Sequence, residues 1–439
     1  MNAMGSACCF KRGLALLVTF AVLLPISGSV QASAGSPLVR VGICLPEAGT
    51  GAEEALLYAE GGFSVYPTDR LTLHPRSDGS LELREGTTGR LLETRSHGTP
   101  ITLKGNAGIV TLTANGKTYP YPASLLCSVK DGRLKIIAMT DLETYAKCVM
   151  ANEIGTNASR EVRLAFSLLV RTVALHGRKH REAGADVCAS TCCQLYLGNH
   201  RRSEENDAIV DATRGQYLTY EGKPITCPYH HSNGGATCSA AAAWGGSGTP
   251  YLVSVFLEET EAFPGKTWEK AFTQDELSAQ GAFSALGKVV SLEIGALDPH
   301  GSAYVTKVTA KDEKGNRITL ETCERIRNAL GIPTGNFTLC YLMKTPAVTE
   351  SGETVTLDAK GYVDAEGSYV PLDSFTPLPV TGASHVGADT LLLTGKGQGH
   401  GVGFSSQGAE QLAAKGWKYP AILQFYFPGT EIGNLMDSF

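Results

Sequence analysis

The sequence lacks an excess of positive charge. It holds 38 lysine and arginine residues against 43 aspartate and glutamate residues, which gives a formal net charge of −5 and a pI near 6.1. A protein that binds nucleic acid would present a basic face to the phosphates, so we expect no nucleic-acid partner. The same balance says nothing against a polysaccharide substrate.

The sequence also has few charged residues of either sign and no internal repeat, coiled-coil heptad or low-complexity tract. Charged residues make up 18% of the chain and hydrophobic residues 43%. This composition supports a sizeable core and excludes wholesale disorder. A length of 439 residues fits two or three modest domains, or one large domain with insertions.

The N-terminus has the composition of a targeting segment. Lys11 and Arg12 precede an apolar run over 14–26, and an Ala-Ser-Ala site follows at 32–34. This order is typical of a secretory signal peptide, and the run is short for a membrane span. We predict that residues 1–34 are a signal peptide, or alternatively an N-terminal anchor, and that the protein is extracytoplasmic.

Residues 140–153 predict a buried amphipathic helix. Thr140 and Glu143 have the spacing of a capping box, in which each side chain bonds an unpaired backbone N–H. Apolar residues then recur at helical spacing as far as Glu153. Gly155 follows as a left-handed cap.

A second helix is predicted from Ser159 or Asn157 to about His176, and it is apolar nearly all round. Glu153 therefore lies at the joint between two packed helices. The helix dipole and apolar neighbours such as Ile154 both favour its protonated form, which a general acid needs near neutral pH. The alternative is a solvated glutamate at a fraying helix end.

The other segments predict strands and shorter helices. Helices among antiparallel hairpins indicate an α+β fold, with antiparallel β-rich segments around a central buried helical pair. The predicted divisions are a β-rich segment over 35–139, a core over 140–345, an insertion over 346–392 and a closing block over 393–439. The predicted elements are strands at 39–44, 80–83, 101–103, 109–112, 134–138, 289–294 and 304–310, a hairpin of 217–220 with 225–229, and helices at 207–213, 274–286 and 323–330.

A glycine-rich block covers Gly395–Gly403, with glycine at every second position. Its spacing does not fit the dinucleotide-binding fingerprint G-x-G-x-x-G. Alternating glycine permits a close backbone approach to a ligand or to another strand. The block is therefore either a tightly packed core strand or a lining of the substrate site.

Several further motifs occur in a fixed order. The stretch LETY leads to Asn152-Glu153-Ile154 and Arg171-Thr172, and it is followed by CASTCCQLY, AIVDATRGQYLTY, YHHSNGGAT and GKGQGHGVGFSSQGA. In this order the chain resembles the stage II sporulation protein D family, the SpoIID/LytB domain. The resemblance implies a lytic transglycosylase that cleaves peptidoglycan glycan strands, with Glu153 as its acid/base and no cofactor needed for catalysis.

The resemblance also implies a substrate cleft and partners. The family's other name, amidase enhancer, implies an alternative in which the domain binds glycan without cleaving it and enhances a cell-wall amidase, which would then be a second partner beside the glycan strands. Phe166 replaces the usual glutamine of its helix, and Ser406-Gln407 depart from the usual motif. The predicted substrate-binding residues are Arg171, Tyr229, Ser232, Gly234, His400 and Ser405. An ordinary salt bridge is the alternative role for Arg171.

Ten cysteines follow the predicted leader, and three lie close together in the sequence. In some members of the resembled family two cysteines here, with a nearby histidine, hold zinc. Cys188 and Cys193 match those cysteines with one residue fewer between them, Cys192 stands where the histidine often lies, and His180 could supply a nitrogen ligand. Thiolate and imidazole ligands suit tetrahedral zinc. A disulfide and inert buried thiols are the alternatives, and a Cys/His peptidase that uses Cys193 with His230 is a rival enzymatic hypothesis.

Overall fold

The computed structural model of the protein describes residues 36–177, 179–257, 266–348, 354–363, 369–371 and 390–438, with the backbone alone described within 341–371 and at 437–438. The predicted signal peptide lies outside these residues, as does much of the predicted insertion at 346–392. Among the helices described, none is both long and apolar enough to cross a bilayer.

The chain before residue 142 forms strands, as its turn-separated apolar runs predict. The predicted strands at 39–44, 80–83, 101–103, 109–112 and 134–138 are all present with small shifts of their ends. In all, this part of the chain forms ten strands: β1 Leu38–Cys44, β2 Ala55–Tyr58, β3 Arg70–Pro75, β4 Leu81–Glu85, β5 Leu91–Arg95, β6 Ile101–Leu103, β7 Val110–Ala114, β8 Lys117–Tyr121, β9 Ser124–Lys130 and β10 Arg133–Asp141.

Helices and strands are mixed in the rest of the chain. The helices are α1 Leu142–Glu153, α2 Arg160–His176, α3 Glu204–Ala212, α4 Ala240–Trp244, α5 Gln274–Ser278, α6 Cys323–Leu330, α7 Ser406–Ala414 and α8 Tyr419–Tyr426. The strands are β11 Val187–Cys188, β12 Gln216–Tyr220, β13 Lys223–Pro224, β14 Tyr229–His230, β15 Thr267–Thr273, β16 Val289–Leu297, β17 Val305–Asp312, β18 Arg317–Glu321, β19 Phe337–Val348, β20 Thr354–Val363, β21 Tyr369–Pro371, β22 Thr390–Lys396, β23 Phe404–Ser405 and β24 Glu431–Asn434.

Most neighbouring strands pair antiparallel, which confirms the α+β class. One sheet has the order β5-β4-β3-β2-β7-β8, a second β11-β1-β10-β9-β6 and a third β15-β22-β19-β20-β21. Smaller sheets are β16-β17-β18 and β13-β12-β24. Parallel pairs join β1 to β11 and β14 to β23, and these two pairs bring distant parts of the chain to the candidate site.

The buried helical pair is present, but the predicted cap at its start is wrong. Asp141 is the N-cap of α1, because its Oδ1 accepts hydrogen bonds from the N–H groups of Glu143 and Thr144 at 3.1 and 3.0 Å. Thr140 belongs to β10 and donates to the Pro122 carbonyl at 3.0 Å. Gly155 has φ +64° after α1, as the left-handed cap requires.

Three further predictions need correction. The hairpin after β12 closes with β13, whereas Tyr229 pairs with Phe404 of β23. The helix predicted over 274–286 ends at Ser278 and gives way to a short 3₁₀ turn over Gly281–Phe283. The glycine-rich block is no core strand: β22 ends at Lys396, and an irregular loop continues to Gly403.

Two large hydrophobic clusters hold most of these elements together, and a small third cluster contains Cys188. The larger cluster joins the N-terminal sheets to α1, α2, α7 and α8. The second lies among β15–β18, α6 and β22. The α4 helix belongs to the larger cluster and packs against α6 of the second.

Candidate functional site

A cavity of about 700 Å³ opens where α1 and α2 end. Its volume lies within the usual range for a ligand pocket. Glu153, the last residue of α1, is on its wall, and His176, the last residue of α2, is also there. Tyr229, His400 and Cys193 are the other predicted site residues that line this cavity.

The carboxyl group of Glu153 is in a setting that suits a proton donor. Burial raises the pKa of Glu153 above its ordinary value, against opposing hydrogen bonds from the Leu195 backbone N–H and the Tyr229 hydroxyl. Burial has this effect because a carboxylate loses more hydration than a neutral carboxyl group does. The half-buried side chain still reaches the cavity, so it is both perturbed and accessible.

Tyr229 is held in place by both its backbone and its ring. Its strand pairs in parallel with Phe404, and its ring packs edge-on against Phe166 with centroids 4.8 Å apart. Phe166 is 1% exposed. The departure from the family pattern at this position therefore supplies an aromatic support behind Tyr229.

The glycine-rich block forms a loop that carries His400 to the cavity. Gly397, Gly399, Gly401 and Gly403 all have positive φ, from +71° to +110°, a conformation that side chains disfavour. Added Cβ atoms would also collide, for example at 2.8 Å from the His230 Cβ for Gly399 and 2.4 Å from the Pro228 carbonyl oxygen for Gly403. Alternating glycine is thus required by left-handed backbone and close packing together.

His400 is a neutral hydrogen-bond donor in this arrangement. Its Nδ1 accepts the Val402 N–H at 3.0 Å, so the ring proton is on Nε2. Burial lowers the pKa of His400, although the nearby Glu324 opposes this effect. His230 packs against it with ring centroids 5.6 Å apart, and burial lowers the pKa of His230 to about 3.

Trp244 is a wall residue that the sequence did not single out. It ends α4 and is 44% exposed, and its ring centroid is 5.6 Å from that of His400. An exposed indole beside a polar donor offers an apolar face to a ligand. Nothing in the local sequence pattern predicts that this face of Trp244 is uncovered.

Three of the predicted substrate-binding residues lie behind the wall. Ser232 is 1% exposed, and its N–H donates to the Gln398 carbonyl at 3.2 Å. Gly234, at φ +65°, packs against the backbone of Lys396. Ser405 is fully buried and caps α7 by accepting the Gly408 N–H at 3.2 Å. In the structure these residues hold the loop of His400 rather than face the cavity.

The two residues that depart from the family motif also fasten this region. The Ser406 hydroxyl donates to the His230 carbonyl at 3.3 Å, and the Gln407 N–H donates to the His231 carbonyl at 3.0 Å.

Arg171 is in a buried ion pair away from the cavity wall. Its side chain is completely buried, and two of its nitrogens donate to the Glu143 carboxylate at 2.6–3.1 Å. Further donors reach the Val210 carbonyl at 2.7 Å and the Thr213 hydroxyl at 3.1 Å. The salt-bridge alternative therefore describes Arg171, which could not clamp a sugar without leaving the Glu143 charge buried and unpaired.

A second carboxylate on the wall, Asp186, is already paired. It receives three hydrogen bonds from Arg40, one from its backbone N–H and two from its guanidinium, at 2.8–3.3 Å. None of the ion pairs that the structure describes includes Glu153, the other carboxyl group on the wall.

The predicted metal residues come together beside the cavity. Ligand atoms of His180, Cys188, Cys192 and Cys193 all lie within 4.8 Å of one another. Cys192 Sγ is 3.5 Å from His180 Nε2, which adds a fourth group to the predicted three. A hydrogen bond from Cys193 lowers the pKa of Cys188 despite burial and so favours a thiolate there.

This cluster is linked to Glu153 through the chain. Cys188 lies in β11, which pairs with β1, and Gln194 and Leu195 directly follow Cys193. The fully buried Gln194 accepts the Tyr145 hydroxyl at 3.0 Å, and Leu195 donates its N–H to Glu153. The segment that carries the thiols therefore also positions the carboxyl group.

The structure does not pair Cys193 with His230, as the peptidase hypothesis requires. His230 Nδ1 donates to the Val402 carbonyl at 3.1 Å, and its ring faces His400. Cys193 lies instead with His180 and the two other thiols.

Part of the chain matches the profile of a known protein family. Residues 130–220 match the family profile described as "Stage II sporulation protein". That segment contains α1, α2 and the cysteine cluster.

Individual relatives are similar at low identity. The amidase enhancer of Bacillus subtilis (strain 168) is 25% identical over 307 residues, which cover 65% of this chain and 40% of that protein. Stage II sporulation protein D of Bacillus amyloliquefaciens is 24% identical, over 68% of this chain and 75% of its own length. An uncharacterised protein of Brachyspira hyodysenteriae is also 24% identical, over 74% of this chain and 76% of its own length. The chain thus matches less than half the length of the amidase enhancer.

Proposed function

We propose that this chain, a member of the stage II sporulation protein D family, is an extracytoplasmic lytic transglycosylase that cleaves peptidoglycan glycan strands. The observation that carries the proposal is Glu153: an accessible carboxyl group with a raised pKa on the wall of a cavity large enough for sugar units. The family link to sporulation suggests a role in engulfment. Export is the part of the proposal that comes from the N-terminal sequence.

In the proposed reaction Glu153 acts twice. Protonated, it donates to the glycosidic oxygen between N-acetylmuramic acid and N-acetylglucosamine as the bond from that oxygen to the anomeric carbon breaks. The carboxylate then takes the proton of the muramic 6-hydroxyl, whose oxygen bonds to the same carbon and closes an anhydro ring. Some glycosidases use a group of the substrate in place of a second carboxylate, and Asp186, already paired with Arg40, leaves Glu153 to act alone.

The other wall residues would bind and orient the glycan. Tyr229 donates to the Glu153 carboxylate and opposes its protonation, so it sets how readily the acid gives up its proton. Trp244 offers an aromatic face for a sugar ring, and His400 lies beside it on the cavity wall.

The proposal includes a structural zinc ion held by His180, Cys188, Cys192 and Cys193. The fit rests on their donor set: three sulfurs and one nitrogen within 4.8 Å suit the tetrahedral geometry of zinc. The metal would supply order to the segment that presents the Leu195 N–H to Glu153. The purified protein should hold about one equivalent of zinc, which Cys188→Ser should lose and Cys127→Ala, a buried site in β9, should keep.

The experiment that tests cleavage is digestion of purified glycan strands, both with and without stem peptides, followed by mass spectrometry. The wild-type protein should release anhydro-muramic ends, because no water enters the proposed reaction. Glu153→Gln keeps the side-chain size but cannot transfer a proton, so the rate should fall by at least about 10²–10⁴-fold. The exposed Glu60→Gln is the matched control and should cleave like the wild type. Wild-type rates from Glu153→Gln would refute the mechanism.

A non-catalytic amidase enhancer is the second candidate, favoured by the similarity of the chain to the amidase enhancer of Bacillus subtilis. It would bind glycan through the same cavity and stimulate a cell-wall amidase. Glycan binding with no cleavage by the wild type, together with stimulation of an added amidase that Glu153→Gln retains, would establish this function instead.

A further inference from the structure

We propose that Cys238 and Cys323, both in the larger hydrophobic cluster, form a disulfide bond that joins the start of α4 to the start of α6 behind the Trp244 and His400 wall. Their Sγ atoms lie 3.5 Å apart, and the residues are 0% and 2% exposed. A disulfide has an S–S length of about 2.05 Å, so the sulfurs must approach by about 1.5 Å. Rotation about the side-chain bonds supplies movement of that size.

The surroundings of this pair differ from those of the other close thiols. Cys188, Cys192 and Cys193 have His180 beside them, whereas Cys238 and Cys323 belong to no group of three or more metal-ligating side chains among the described residues. Two sulfurs without further ligands suit a covalent bond better than a metal. Cys127 and Cys227 are equally buried, but the sulfur of each has a backbone carbonyl as its described hydrogen-bond partner.

The bond would connect elements that position the cavity wall. Cys238 precedes α4, which ends at Trp244, and its N–H donates to the Gly401 carbonyl at 2.8 Å. Cys323 is the first residue of α6, whose Glu324 acts electrostatically on His400. Thr322 before it has φ +73°, a strained conformation for a β-branched residue. The two cysteines are 85 positions apart, so the bond would restrict a long stretch of the unfolded chain.

The chemistry is a two-electron oxidation. Each thiol loses its proton, the two sulfurs join, and two electrons reduce the disulfide of a thiol–disulfide oxidoreductase to a dithiol. Because the pair is buried once folded, the exchange must occur while the chain folds in an oxidising compartment. The proposal therefore requires export but not glycan cleavage, and the two can fail separately.

The test is peptide mapping of the full chain recovered from an oxidising compartment. The unreduced protein is denatured with a chelator, alkylated and digested. Trypsin leaves Cys227 and Cys238 on one peptide because no lysine or arginine lies between them, so a second protease must cut after Tyr229. Cys323 lies in the tryptic peptide 318–325. The expected result is a linked pair containing Cys238 and Cys323, lighter by two hydrogens than the reduced peptides, beside alkylated Cys188, Cys192 and Cys193.

Alkylation of both Cys238 and Cys323 without reduction would overturn the proposal, and so would a link from either one to another cysteine. As a second measurement, reductant should lower the melting temperature of the wild type and of Cys127→Ala. It should leave the double variant Cys238→Ala, Cys323→Ala unchanged. An equal shift in the double variant would also count against the bond.

Discussion

At the scale of single residues, the hydrogen bond from Tyr229 lowers the pKa of Glu153, the candidate acid. The hydroxyl stabilises the carboxylate and so opposes the burial that raises the pKa of Glu153. The variant Tyr229→Phe lacks the hydroxyl and therefore this hydrogen bond, but it keeps the ring that packs against Phe166. The pKa of Glu153 should therefore rise further.

The sign of the resulting change in activity follows from the role of the acid. Cleavage needs protonated Glu153, so its pKa sets the alkaline limb of the pH profile of kcat/KM. We expect Tyr229→Phe to move this limb to higher pH. A limb that moves to lower pH would contradict the proposed contact, and Tyr217→Phe, in β12, is the control that should leave the limb unmoved.

The residues also show what local sequence can and cannot predict. Glu153 could be placed at a helix end because periodicity and Gly155 are local signals. The role of Glu143 was mistaken because its spacing from Thr140 fits a capping box, whereas its partner Arg171 is 28 positions away on α2. Only the packing of α1 on α2 brings that pair together, and no spacing rule encodes it.

At the scale of elements, the loop from Gly397 to Gly403 is the part of the site that sequence predicted least well. Alternating glycine was compatible with a strand, because both a pleated strand and a left-handed loop tolerate it. The decisive information is tertiary: the Tyr304 ring, the Ser232 carbonyl and the Pro228 carbonyl lie where side chains would be. The two long helices α1 and α2 and the early strands could be predicted because their periodicity is local.

This loop yields a prediction with a matched control. A Cβ at Gly401 would lie 2.2 Å from the Tyr304 hydroxyl oxygen, and Tyr304 is fully buried, so it cannot move aside. Gly416 has a similar φ of +89° with nothing within 4 Å. Both alanine variants bear backbone strain of about 1–3 kcal/mol, and Gly401→Ala adds about 1–3 kcal/mol of overpacking.

Chemical denaturation and glycan binding would measure the difference. Gly401→Ala should lose more free energy of unfolding than Gly416→Ala, and it should bind glycan more weakly because His400 is displaced. Equal losses in the two variants would mean that close packing does not shape this loop.

At the scale of the whole molecule, Asp298 connects the two hydrophobic clusters. It follows β16 of the second cluster and accepts hydrogen bonds from both the N–H and the hydroxyl of Ser239, the cap of α4, at 3.2 Å. Ser254 and Ser302 donate at 2.6 Å each. Burial alone would raise the pKa of Asp298, but these bonds outweigh it and hold the pKa below its ordinary value.

The lowered pKa makes this connection depend on pH. A carboxylate whose folded pKa is depressed contributes stability above its unfolded pKa of about 3.9, and the contribution is lost as pH falls through the folded value. Asp298→Asn removes the charge from these bonds, so it should cost about 1.5–3 kcal/mol at pH 7. The difference from wild type should shrink steadily below about pH 4.

Urea unfolding between pH 3 and pH 7 measures this difference in the free energy of unfolding. The exposed Asp69→Asn is the control, which should differ little from wild type at either end of the range. If Asp298→Asn costs the same at both ends of that range, the charge of Asp298 does not hold the clusters together.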